Sequence, residues 1–174
     1  AIIDGRGAPL LKDLVFAVHG RSPYEHVYLR ADRSMRDRLP NTDVVLYDRT
    51  WRIKASDKSQ TLGKVVEPYF ARSYEHFCSH GQTPPAKLSR YAAALQQGNT
   101  ITMAFPIFYS YGRTAYTAYR EMLAACIDRL MPDKLLQDNG LTILEATVMS
   151  RKDAKLVHLL SFAREKRTPE LEII

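Results

Sequence analysis

Apolar positions along this chain switch between two periods, and the switches mark its elements. After the turn signal "GRGAP", Leu10, Leu11, Leu14 and Val15 form an i, i+3, i+4 set, which predicts a short helix. "RSPYEH" reads as a loop and "HVYLR" as a short strand. "DVVLYDRTWRIKAS" is strand material, rich in Val, Tyr, Trp and Ile. "TLGKVVEPYF" predicts another strand, ended by Pro68. Residues 81–90, "GQTPPAKLSR", read as a loop. "YAAALQQGNTITMAFPIF" reads as a hairpin turning at "QQGN". Its second arm is apolar on both faces, the pattern of a central, covered strand.

The period then lengthens. In "RTAYTAYREMLAACIDRLMP", Tyr116, Tyr119, Leu123, Cys126, Ile127 and Leu130 fall on one helical face. Thr114 or Thr117 is placed to cap this helix, and Pro132 ends it. Beyond "PDKLLQDNG" the period returns to two. "TILEATVMSRKDAKLVHLLSF" predicts two strands around a turn at Arg151 to Ala154, and "REKRTPELEII" a loop and the start of one more strand. A domain boundary is expected near Asp138 to Gly140. The stretch beyond it is too short for a core of its own.

Composition narrows the class. The 174 residues are 45% hydrophobic and 25% charged, as in an ordinary globular chain. No run of about 18 apolar residues predicts a membrane span. The first residues lack the basic-then-apolar order of a signal peptide. The two cysteines, Cys78 and Cys126, make no disulfide framework, which points to reduced thiols and a cytoplasmic setting. The net charge of +6 would suit a polyanion partner. The basic residues are scattered, though: "RADRSMRDR" interleaves Asp32 and Asp37 with its arginines, and no run of five cations occurs. Nucleic acid is therefore not the expected partner.

The densest chemistry lies in "EPYFARSYEHFCSHGQTPPAK", residues 67–87. On an extended strand His76, Cys78 and His80 would share one face, and zinc accepts such ligands. A structural zinc site needs a fourth ligand, and His19, His26 and His158 are isolated. Cys78 as a nucleophile needs a base, His76 or His80, with Glu67 or Glu75 behind it. It also needs a sharp strand-to-helix turn offering free N–H groups. The sequence leads instead into a proline loop. Asp48 and Glu67 sit at strand ends, but nothing pairs them across a cleft as glycosidic hydrolysis requires. No phosphate loop is present. No catalytic, cofactor-binding or metal residue is assigned, and no cofactor. The cluster His76, Cys78 and His80 is the alternative, a small metal-binding or redox domain. A carbohydrate surface using Trp51 and exposed tyrosines is a weaker one, since Trp51 is the single tryptophan.

The order of segments carries more. "LLKDLVFAVHGRSPYEHVYLR", "LPNTDVVLYDRTWRIKA", "VVEPYFARSYEHFCSHGQTPP", "GNTITMAFPIFYSYGRTAYTAYREMLAACIDRLMPD" and "LEATVMSRKDAKLVHLLSFAREKRTPELEII" follow one another. In this order the chain resembles the C-terminal region of bacterial glycoside hydrolases built like trimeric β-galactosidases. Pro68 to Pro85 and "HLLSFAREKRTPELEII" are the most specific parts of the resemblance.

That resemblance implies an α/β fold with a mixed sheet, class I amidotransferase-like, of which a partial domain would look α+β, followed by a C-terminal β-hairpin segment. It implies a trimerisation domain at residues 1–138, without its N-terminal strands, and the start of a β-sandwich at 139–174. The family's catalytic barrel needs about 250 residues and is not here, so this chain is expected to be non-catalytic. The expected partner is a second copy, as trimers in the parent protein, whose substrate would be a carbohydrate; neither nucleic acid nor membrane is expected. Within this frame Tyr69, Phe70, Arg72, His76 and His80 become interface or packing candidates.

Overall fold

The structure, a computed structural model, describes residues 14–132, 136–138, 144–162, 164 and 171–173. The chain divides into two compact units, Ala1–Leu130 and Met131–Ile174.

In the first unit a seven-stranded sheet forms from β1 (Ala17–Arg21), β2 (Val27–Ala31), β3 (Val44–Leu46), β4 (Trp51–Lys54), β5 (Gln60–Pro68), β6 (Pro85–Gln97) and β7 (Thr100–Met103). Two helices follow, α1 (Ile107–Thr114) and α2 (Thr117–Leu130). The strand order is β1-β4-β6-β5-β2-β3, with β7 beside β6. Every pairing in it is antiparallel. The unit is thus sheet-rich α+β, and the mixed sheet of the amidotransferase-like expectation does not occur among the described residues.

β6 is the hub. With 13 residues it pairs β5 along one edge, while its other edge is shared by β4 at Ala92 and β7 at Ala94–Gln97. Its centre is small and buried, Ala92, Ala93 and Ala94, so neighbouring layers approach closely. Gly63 on β5, opposite Ala94, serves the same end: a Cβ there would sit 3.2 Å from Leu29 Cδ1. The β6–β7 hairpin turns where "QQGN" predicts it, with Gly98 at φ +54°.

Alternation along the strands feeds two apolar layers. Val27, Leu29 and Ala31 of β2 join Tyr91 and Ala93 of β6 under Tyr119, Met122, Ala125 and Cys126 of α2. On the opposite face, Ile53, Ala92, Leu95 and Ala104 pack with Phe16, Val18 and Trp51. The helical face is rotated from the one expected. Tyr119 and Cys126 are buried, but Met122 and Ala125 complete the stripe while Ile127 is 55% exposed. Ala115 in the left-handed region (φ 49°) separates the helices.

Two further expectations change, and a third lies mostly outside the described residues. β6 begins at Pro85, inside the expected loop, because both prolines at that end sit opposite one another, Pro68 against Pro85, where no ladder bond through them is needed. β7 is not a central strand: it pairs β6 alone, and the following "FPIF" enters α1. The predicted helix at Leu10 to Val15 falls mostly outside the described residues; Leu14 is buried and Val15 exposed.

The second unit holds β8 (Leu136–Asp138), β9 (Leu144–Arg151), β10 (Ala154–Ser161) and β11 (Leu171–Ile173). β9 and β10 form the predicted antiparallel hairpin, and β11 pairs β8. Met149, Leu156, Leu159 and Leu160 are exposed on the hairpin.

The fully buried Tyr119 ties α2 to the sheet. Its hydroxyl accepts from the Tyr47 N–H (2.9 Å) and donates to the Val45 carbonyl (3.2 Å). Tyr119→Phe keeps the ring and leaves both backbone groups short of a partner, so chemical denaturation should show a loss of about 1–3 kcal/mol. Burial also raises the Tyr119 phenol from its ordinary 10.0 to about 12, and the Cys126 thiol from 9.0 to about 11. Both acids are held neutral by the fold, so their contribution is complete below about pH 9 and is lost as pH rises toward 11–12. Denaturant midpoints should fall across that window. Cys126→Ala should flatten its lower part and Tyr119→Phe its upper part.

Candidate functional site

The stretch from Tyr69 to Pro84, between β5 and β6, is a loop with no regular strand. Its base is tied at several points. The Tyr69 N–H donates to the Pro84 carbonyl (3.2 Å), and the Thr83 hydroxyl donates to the Phe70 carbonyl (2.8 Å). The Thr83 carbonyl accepts from the hydroxyl of buried Tyr28 on β2 (2.5 Å). Burial of that hydroxyl raises the Tyr28 pKa above its ordinary value.

The tip is open. Tyr69, Tyr74 and Phe77 are 70%, 101% and 66% exposed. The Arg72 guanidinium lies 4.8 Å from the centre of the Phe77 ring and donates to the His80 carbonyl (3.2 Å). Half-buried Phe70 meets the His76 ring at 5.9 Å. A local turn joins Ser73 and His76: the Ser73 N–H donates to the His76 carbonyl and the His76 N–H to Ser73 Oγ. Tyr69, Phe70, Arg72, His76 and His80 are thus brought into one loop, with Phe70 the packed member and the other four exposed.

This geometry removes the strand on which an H-x-C-x-H site would rest. His76 and His80 lie on bends and Cys78 in irregular chain, and the Cys78 thiol donates to the carbonyls of His80 (3.3 Å) and Gln82 (3.8 Å). Among the described residues no group of three or more His, Cys, Asp or Glu side chains is gathered to hold a metal. Glu67 accepts from Ser89 Oγ (3.3 Å), and Asp48 Oδ1 accepts from Arg113 (3.0 Å). One oxygen of each is thus engaged by a neighbouring side chain, while Asp48 Oδ2 is buried without a hydrogen-bond partner among the described residues.

Two clefts adjoin these elements. One, about 430 Å³, lies between the start of β4, β7 and the first turn of α1, with Arg21, Arg49, Trp51, Phe108 and Tyr109 on its walls. The Arg21 guanidinium sits over the Trp51 ring at 4.8 Å. A smaller one, about 190 Å³, runs from Tyr24 and His26 past Arg49 to Phe70, Arg72 and Thr83. The first was missed by sequence reasoning, because its walls come from four separate segments. The "FPIFYSYGR" run, with adjacent Phe108 and Tyr109 exposed, was its one visible trace.

Comparison with known proteins now adds a fold-level likeness. No family model matches the chain, and no curated protein is significantly similar to it. A solved structure is similar: the α-L-fucosidase isoenzyme 2 from Paenibacillus thiaminolyticus, with a TM-score of 0.74 and 24% identity over 92% of this chain. The chain spans a quarter (25%) of that structure's length. At this identity the likeness establishes a shared fold. No helix among the described residues is long and apolar enough to cross a membrane.

The two cysteines give a direct check on the loop. Cys78 is half-exposed, while Cys126 is buried with its thiol raised to about 11. A thiol reagent at pH 8 should modify one cysteine in the native chain and both in denaturant, and Cys78→Ser should abolish the native reaction.

Proposed function

We propose that this chain is a non-catalytic accessory and oligomerisation region of a glycoside hydrolase acting in carbohydrate metabolism. The observation that carries the reading is the likeness over 92% of this chain to a quarter of an α-L-fucosidase. A region of that share is one part of a larger enzyme, and the segment order resembles the region that follows the barrel in β-galactosidase-like hydrolases. Asp48 and Glu67, each with one oxygen bonded to a neighbouring side chain, and a Cys78 thiol turned to backbone carbonyls, are consistent with chemistry carried elsewhere.

The loop tip is the proposed contact surface. Three large aromatics are exposed on a base fastened to the sheet, the arrangement of an anchor that meets a partner without first paying for order. Arg72, stacked on Phe77, supplies a cation and donors at its edge. The partner is a second copy of the parent protein, and the assembly is a trimer.

Light scattering behind size exclusion should give a mass about three times 19.9 kDa. The double change Tyr74→Ala, Arg72→Ala should shift it to the monomer with an unchanged circular dichroism spectrum. Neither galactosides nor fucosides should be hydrolysed by this chain alone; turnover of either would overturn the accessory reading.

A further inference from the structure

We propose that the cleft between Arg21, Arg49, Trp51 and the first turn of α1 binds a carboxylated sugar ring. The cleft volume, about 430 Å³, lies within the ~300–1,000 Å³ that small-molecule sites occupy. Its floor is apolar: Phe105 and Ile107 are buried, and half-buried Trp51 faces them from β4. Phe108 and Tyr109 stand at its mouth, 77% and 65% exposed. Aromatic faces of this size offer a flat apolar surface to the C–H face of a pyranose, while its hydroxyls stay wet.

The charge is on one side. Arg21 and Arg49 line the cleft, and neither forms an ion pair with a carboxylate among the described residues. Arg30, Arg38, Arg113 and Arg120 contrast with them, each lying against an Asp or Glu. Arg21 is already ordered by its stack on Trp51, so its planar N–H edge is held for an acceptor. A planar carboxylate matches a guanidinium in bidentate fashion. A neutral sugar would leave both positive charges uncompensated, and inorganic phosphate would leave the aromatic floor unused. The anion half of this assignment stands on the cleft alone, whereas the sugar half rests on the accessory reading above.

Trp51 is the single tryptophan, so its fluorescence reports this cleft directly. The chain is titrated with galacturonate, with galactose and with inorganic phosphate. The expected result is a saturable change with galacturonate alone, weakened about tenfold by Arg49→Gln, the effect of one charge-assisted hydrogen bond. Arg49 is exposed, so the variant should keep the native circular dichroism spectrum. No saturable change with galacturonate overturns the proposal. So do equal changes with galactose or phosphate, or an Arg49→Gln titration equal to wild type. Light scattering on the same samples reads assembly separately, so failure of the accessory reading and failure of this site give different results.

Discussion

One buried phenol sets the geometry from which the cleft wall follows. Tyr119 reaches from α2 to two backbone groups at the end of β3, the Val45 carbonyl within the strand and the Tyr47 N–H just beyond it. A hydroxyl with no water to turn to has to find such partners. The chain beyond Tyr47 is then fixed as well. Asp48 meets Arg113 at the end of α1, and the Thr50 carbonyl accepts from the Ser22 N–H. The Trp51 N–H in turn donates to the Ala104 carbonyl, just before α1. Arg49 and Trp51 thus enter the cleft wall on a short segment held at both ends, one end by the helix and one by the sheet. Ring contacts of Tyr119 with Phe105 and Tyr116, at 5.7 and 5.1 Å, add packing around the same point.

The opposite device holds the aromatic loop. There a tyrosine of the sheet, Tyr28, reaches outward to a loop carbonyl instead of a helix tyrosine reaching inward. Its neighbours Val27 and Leu29 point into the helix-side core, so alternation places Tyr28 on the far face. The loop base is ordered through Thr83 and Phe70, and the tip is left with bonds only to itself. Such a division suits recognition: ordering cost is met in the free protein at the base, while large apolar area stays outside. Loops of this length inside compact domains are generally functional.

The sequence was readable where one period ran unbroken. The β6–β7 hairpin needed only Gly98, and the β9–β10 hairpin only the polar turn between two alternating runs. Where two signals competed, the reading failed for a physical reason. Prolines hid the first residues of β6, because a strand that pairs at its end tolerates a missing N–H. The stripe on α2 was misplaced, since Met122 and Ile127 are both apolar and only packing decides between them. The loop residues Tyr69, Phe70, Arg72, His76 and His80 were found together because they are contiguous. The cleft was not, because Arg21, Arg49, Trp51 and Tyr109 meet only after the sheet forms.

Net charge alone does not say where a cation matters; pairing does. The +6 excess looked scattered because arginines alternate with acids along the chain. In three dimensions two kinds of partner recur, carboxylates and aromatic rings, and Arg113 meets both. Arg30 and Arg38 are absorbed by Asp43 and Asp128, surface pairs worth about 0–1 kcal/mol each that fasten loop to strand and loop to helix. Arg21, Arg52, Arg72 and Arg90 lie instead over aromatic rings, at 4.8–5.6 Å. Stacking suits a weakly hydrated planar cation, and it orders the side chain without neutralising it. A carboxylate partner spends the charge inside the fold, whereas a ring partner leaves it facing outward. Arg21 and Arg72, stacked on Trp51 and Phe77, therefore keep charges that no carboxylate among the described residues compensates, one at the cleft and one at the loop tip.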